Sequence, residues 1–467
     1  MEACSVKNRN EYLRILAVIL LLTAGEYLLC RMGQSTLKEV HAGWDKRHYF
    51  AVAKDLFDGG AFTEFQYPFV YPVFIWLTGQ TERGLLLSQV LVKAFSLAVI
   101  WLLLRKKMPE REGMTVMVLL ALSPLWCIFS FRYMAENLEV PLLLITLLLH
   151  FGRRENLAGS GHFLRKLLLT VLAAGMAWTL MMTKYMCLLL LPVFCLLWGT
   201  AAFQKKEKRW LSALFWCAVY TSVVLLLIVY YAHLVAQSQG AALNLAVIKK
   251  TIGFSQASGP DRVGYRFIPE ARWLLCYGLY AFTGAAMILV SLLAGASRKR
   301  ILENPCVCAG IGAIALILIY VSARHSTLAP YNVDGYMDRL LGRYVAPVTT
   351  LGVMLPYFTL PGAVPASEAA PSRGSLLRSI SAAAAGCAVV LGAWAVLYRN
   401  CLGFNMSKKF VLENRGFDLL AFSRIGFPAV CVYLVLILLN AFVKKKQVLY
   451  LSLAACFLMN DFSLLIR

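Results

Sequence analysis

The chain has 467 residues, of which 60% are hydrophobic and 15% charged, with a formal net charge of +22. This excludes an ordinary soluble domain, where apolar residues make up about half and charge covers the surface. Nucleic-acid binding is not expected either. Lys and Arg fall in short clusters between apolar runs (Arg105-Lys106-Lys107, Arg153-Arg154, Lys205-Lys206, Lys208-Arg209, Arg298-Lys299-Arg300, Lys444-Lys445-Lys446). Cytoplasmic loops of membrane proteins have this pattern.

The chain opens with Lys7, Arg9 and Arg14, then an apolar run to Cys30 without a small-residue cleavage site. This predicts an uncleaved first transmembrane helix. A spanning helix needs about 20 mostly apolar residues. That criterion predicts spans near 12–30, 84–104, 113–131, 136–152, 166–183, 185–203, 211–233, 271–296, 305–323, 342–361, 379–398, 425–443 and 447–466. The fold class expected is therefore an all-α, polytopic transmembrane bundle of about thirteen helices. With the N-terminus in the cytoplasm, every basic cluster falls inside. Loops 31–83, 234–270, 324–341 and 399–424 then fall outside.

The first outer loop has structure of its own. Trp44, Tyr49, Phe50, Val52, Ala53, Leu56 and Phe57 recur at roughly helical spacing, which predicts an interfacial helix over 44–57 ended by Gly59-Gly60. Tyr67-Pro68-Phe69-Val70-Tyr71-Pro72 precedes an apolar stretch. Its prolines exclude a regular helix interior and predict a short re-entrant or interfacial turn-helix. The 13 cysteines lie mostly inside apolar runs, where Cys packs as a small hydrophobe. Neither a disulfide framework nor a metal motif is expected.

Polar groups near the outer ends of the spans are the candidates for chemistry. Asp45 opens the interfacial helix and is readable either as a helix cap or as a general base at the membrane surface; Lys46, Arg47 and His48 follow it. Glu136 and Glu139 share one face at the start of the fourth span, where acids are also favoured by the helix dipole. Arg132, just before them, is a partner for these acids or a phosphate contact. Lys184, beside Tyr185 at a tight turn, reads as a snorkelling cation or as a phosphate ligand. In Asp338-Arg339-Leu340-Leu341-Gly342-Arg343-Tyr344 the two arginines read as interfacial anchors or as a clamp for phosphate. Lys93, at mid-depth with Gln89 one turn before it, must pair or face a hydrated cavity; Glu26, Glu136 and Glu139 are the possible partners.

The order of these motifs resembles the C-type (GT-C) membrane glycosyltransferases, over residues 12 to 361: an acid in the first outer loop, Tyr67-Pro68 and Tyr71-Pro72 before the second span, a Glu pair opening the fourth, Thr183-Lys184-Tyr185, and Gly342-Arg343-Tyr344. The resemblance implies an enzyme that moves a sugar from a polyprenyl-phosphate carrier to an acceptor hydroxyl at the outer face, with inversion. Asp45 is then the catalytic base. Lys184, Arg339, Arg343, Tyr344, Arg132, His48, Tyr67 and Tyr71 contact the substrates or the lipid phosphate, and Glu136 and Glu139 are supporting acids. It also implies a GT-C-like core over 1–361; the Pro, Ala, Ser and Arg content of 362–378 reads as a cytoplasmic linker, followed by C-terminal helices over 379–467. Many relatives have two acids in succession where Asp45 is followed by Lys46, so a divalent metal is not supported and no cofactor is expected. With no soluble outer domain, a small or lipid-linked glycan is the expected acceptor. A plasma-membrane location is expected. The competing readings are an outer-face polysaccharide polymerase or ligase, and a lipid or solute transporter.

Overall fold

The computed structural model describes residues 2–36, 44–57, 68–105, 108–123, 126, 132–158, 163–200, 209–252, 267–296, 298–328, 344–360, 373–393, 395, 427–443 and 446–465. Among them every regular element is a helix. The chain divides into two compact units, Met1–Ala121 with Phe129–Pro260, and Leu122–Ile128 with Asp261–Arg467. The division falls inside the stretch 1–361 that the motif order treats as one core.

The first unit begins with α1 (Glu2–Thr36). The amphipathic stretch forms α2 (Trp44–Phe57), and the proline-rich stretch forms the short α3 (Val70–Leu77). Pro72 is tolerated in α3 because it lies in the first turn, where a backbone N–H has no partner within the helix. Then come α4 (Glu82–Leu104) and α5 (Glu110–Ala121). The span expected over 113–131 is helical in α5 only to Ala121. Pro124 biases Ser123 away from helical dihedrals and stops the helix early.

Next are α6 (Glu136–Ala158) and α7 (Phe163–Met181). A 3₁₀ turn, Tyr185–Leu190, leads into α8 (Leu191–Thr200). The unit closes with the long α9 (Arg209–Ser238) and the short α10 (Leu245–Thr251). Helix α4 packs between α1 and α6, α7 packs on α6 and α9, and α8 packs on α9. The interior is lined by residues such as Leu85, Leu97, Leu144, Leu147 and Leu180. Leu91 and Phe95 on α4, Leu168 and Leu172 on α7, and Leu226 and Tyr230 on α9 are exposed. Large apolar side chains turned outward on long helices are the pattern of a protein whose solvent is lipid.

The second unit contains α11 (Phe267–Gly284), α12 (Ala286–Gly295), α13 (Arg298–Glu303), α14 (Pro305–Leu328), α15 (Ala346–Gly352), α16 (Leu355–Thr359), α17 (Arg373–Ala393), α18 (Phe427–Val443) and α19 (Lys446–Leu465). The span expected over 271–296 is bent by 73° between α11 and α12, at Gly284-Ala285, where the glycine weakens the helix. The span expected over 342–361 is two short helices. Pro356 has no N–H to bond the carbonyl one turn earlier, so the helix breaks before it.

Among the described residues six helices are long and apolar enough to cross a membrane: those over Glu11–Arg31, Glu82–Leu104, Phe163–Met181, Trp210–Ser238, Pro305–His325 and Leu376–Ala393. Counting the bent pair α11–α12 as one span makes seven. The protein is an integral membrane protein, and these helices fix its class without fixing its full number of crossings.

Candidate active site

The site lies in the first unit, at the end of the bundle where α4 and α6 begin and α7 ends. This end is called the rim below. Its centre is a buried ion cluster. Glu136 and Glu139 open α6, and both are buried. Lys184 follows the end of α7 and reaches them both, with its Nζ 2.9 Å from Glu136 Oε1 and 2.8 Å from Glu139 Oε2. The Cys187 thiol points at the other oxygen of Glu139, 3.7 Å away. Buried carboxylates are costly unless paired and hydrogen-bonded, so one ammonium serving two of them explains why both acids persist at this depth. Taken as ionised groups, the cluster carries one more negative than positive charge.

Helix α3 is fastened beside this cluster. The Val70 N–H donates to the carbonyl of Met182, two residues before Lys184, at 3.1 Å. Phe69 stacks on Tyr231 with centroids 4.5 Å apart and leans on Trp178 at 5.5 Å. Tyr71 is fully buried, and its hydroxyl donates to Gln89 Oε1 at 2.6 Å. Burial, followed by the nearby Glu136 carboxylate and Tyr133, pushes this hydroxyl well above the ordinary phenol range, so it remains a donor. Gln89 Nε2 donates to the backbone carbonyl of Arg132 at 3.2 Å.

Helix α2 is held against the same rim. Lys46 pairs with Glu82, the first residue of α4, and its ammonium lies 4.8 Å from the centre of the Tyr133 ring. The Tyr133 hydroxyl donates to the second oxygen of Glu82 at 3.2 Å. The Phe50 ring meets Tyr133 edge-on at 6.2 Å, and Tyr49 meets Tyr71 edge-on at 4.8 Å. Asp45 is the second residue of α2, next to Lys46. Where its carboxylate lies is outside the described residues.

The predicted site residues therefore separate. Lys184, Glu136 and Glu139 come together. Tyr71 stands beside them as a buried support. Arg132 is half-buried and His48 partly exposed, on the segments anchored at the rim. Tyr344 belongs to the second unit, where its ring meets His325 edge-on at 5.2 Å. Tyr67, Arg339 and Arg343 lie outside the described residues. Glu82, Tyr133 and Asn137 were not singled out by sequence. Each is an unremarkable polar residue at a helix start, and only the packing of α2 and the Arg132 turn gives it a role. Lys93 takes Glu26 as its partner, at 3.2 Å, with both side chains almost wholly buried. That pair ties α1 to α4. Among the described residues no group of three or more metal-ligating side chains is gathered.

A lipid-facing helical bundle with a buried acid–lysine cluster at one rim defines a membrane protein with a candidate catalytic end. Residues 65–245, less than half of the chain, match the family model of the dolichyl-phosphate-mannose-protein mannosyltransferases, a family of GT-C type. The match marks a membrane glycosyltransferase. It begins just before α3 and ends at the start of α10, so it contains Tyr71, Glu82, Arg132, Glu136, Glu139 and Lys184. It is narrower than the 12–361 suggested by motif order. Neither a curated protein nor a solved structure matches the chain.

Proposed function

We propose that this protein moves a sugar from a polyprenyl-phosphate carrier to an acceptor hydroxyl at the outer face of the membrane, with inversion at the anomeric carbon. In this reading the acceptor oxygen attacks that carbon while its bond to the phosphate oxygen breaks. The hydroxyl proton passes to the Asp45 carboxylate, and polyprenyl phosphate departs. Arg132 and Lys184 hold the departing phosphate, and cations there offset its developing charge, so a separate strong acid is unnecessary. His48 and Tyr67 contact the substrates. The acceptor is a lipid-linked or small glycan.

The observation that carries the reading is a coincidence of place. The segment that matches a transferase family also contains the Lys184–Glu136–Glu139 cluster, at the rim where α3 and α2 are fastened. The same match favours a transferase over a transporter. Lys184 is the cation at the site's centre, and an incoming phosphate competes with two carboxylates for it. The accompanying topology has about thirteen crossings, a cytoplasmic N-terminus and a plasma-membrane location. In it, the rim is the outer end and every basic cluster lies inside.

The reading is tested with purified protein in vesicles supplied with a panel of polyprenyl-phosphate sugars. Release of polyprenyl phosphate together with a glycosylated acceptor is expected for one of them. If every donor is left intact while lipid crosses the bilayer, the protein is a transporter and the reading is wrong.

A further inference from the structure

Gln89 is an uncharged amide on α4, one turn before the buried Lys93, and it is itself fully buried. A buried amide is destabilising by roughly 1–3 kcal/mol in proteins unless its hydrogen bonds are made. Gln89 makes them with two different segments, the Tyr71 hydroxyl of α3 at 2.6 Å and the Arg132 carbonyl at 3.2 Å. The second partner fixes the direction of the first. A backbone carbonyl only accepts, so the Gln89 nitrogen must face Arg132 and its oxygen must face Tyr71. Asn137 Nδ2 donates to the same Arg132 carbonyl at 2.8 Å and to the Met134 carbonyl at 3.1 Å. Two buried amides thus occupy both lone pairs of the Arg132 carbonyl.

We infer that Gln89 is a positioning residue that sets Arg132 at the donor-phosphate end of the site, by joining α3 to the turn that opens α6. The inference rests on the proposed role of Arg132 as a phosphate contact. The turn it holds runs from Arg132 through Tyr133, which is bonded to Glu82, to Glu136 in the ion cluster. Without Gln89, the Arg132 carbonyl keeps only Asn137 of this amide pair, and the start of α3 loses its bond to the Arg132 turn. The turn that carries Arg132 toward a phosphate is then held less firmly. Sequence alone could not show this, because Tyr71, Gln89 and Arg132 are separated by 18 and 43 positions and belong to three elements.

The test uses polyprenyl monophosphate as the probe, with its binding to the full-length protein in nanodiscs measured between pH 5.5 and 9. The wild type is compared with Gln89→Leu, Gln89→Glu, Tyr71→Phe, Arg132→Ala and the Gln89→Leu/Arg132→Ala double variant, and each variant's thermal midpoint is recorded. Gln89→Leu is expected to weaken binding about tenfold, the size of one lost charge-assisted contact, and Tyr71→Phe to weaken it less. The double variant should bind no more weakly than Arg132→Ala alone. Gln89→Glu supplies a rescue that mere bulk does not: a neutral carboxyl accepts from Tyr71 and donates to the Arg132 carbonyl, whereas a carboxylate cannot donate. Its affinity relative to wild type should therefore fall as pH rises. Should Gln89→Leu fail to fold, Tyr71→Phe and the pH profile of Gln89→Glu still decide the matter. Wild-type affinity in these variants, or full additivity with Arg132→Ala, overturns the inference while leaving the transferase reading intact. A wild type that binds no polyprenyl phosphate overturns both.

Discussion

The Lys184 ammonium lies 2.8 Å from the Glu139 carboxylate and 2.9 Å from Glu136, joining the turn after α7 to the first turn of α6. Removing the lysine leaves two buried acids facing each other. Breaking a buried ion pair by deleting one partner typically costs about 3–5 kcal/mol. Lys184→Met should therefore lower the thermal midpoint in detergent sharply, and adding Glu136→Gln and Glu139→Gln should restore much of it. Equal midpoints for the single and triple variants would mean that the ion cluster is energetically idle.

The same geometry predicts how the donor meets Lys184. Two carboxylates compete with an incoming phosphate for one ammonium. Glu139→Gln removes one competitor, so the apparent donor KM should fall severalfold even if turnover also falls. A KM that is unchanged or higher would show that Lys184 does not contact the phosphate.

Lys93 and Glu26 provide a second buried pair, at 3.2 Å. Here a double-mutant cycle discriminates. Lys93→Met and Glu26→Met should each destabilise by about 3 kcal/mol or more, whereas Lys93→Met/Glu26→Met should lie close to the wild type, because replacing a buried pair with apolar side chains is often neutral. By contrast, Lys46–Glu82 is partly exposed, with Glu82 56% accessible, and Glu82→Gln should change stability by no more than about 1 kcal/mol. Thermal unfolding of the four variants tests the contrast, and a Glu82→Gln loss as large as that of Lys93→Met would contradict it.

In the second unit, Gly386 lets α17 approach α12 and α18 closely. A Cβ at this position would fall 2.3 Å from Val290 Cγ2 and 3.0 Å from Ile437 Cγ2. Gly386→Ala should destabilise by about 1–3 kcal/mol through overpacking, and Val290→Ala should relieve part of the loss. A fully stable Gly386→Ala would show that the helices can separate without cost.

Much of this architecture could be read from residue order. The helix over 44–57 follows from the spacing of Trp44, Tyr49, Val52, Ala53 and Phe57, and the short helix after Pro68 follows from proline chemistry. The depth of Glu139 and the need of Lys93 for a partner follow from the cost of charge in lipid. Other features depend on which helices become neighbours, which local pattern does not encode. Glu26 lies 67 positions before Lys93, and Lys184 lies 48 and 45 positions from its two acids. Hydropathy also overstates continuity. An apolar run reads the same whether it is one helix or is broken, as at Gly284-Ala285 and before Pro356. Tyr71 shows a different gap: its place beside prolines near the rim does not reveal that its hydroxyl donates to Gln89, 18 positions away.

Sugar transfer with Asp45 as the base is tested by the turnover of Asp45→Asn beside wild type in vesicles, with the donor that wild type uses. Loss of the base should lower kcat by at least about a hundredfold with little change in donor KM or thermal midpoint. Undiminished transfer by Asp45→Asn would contradict the account.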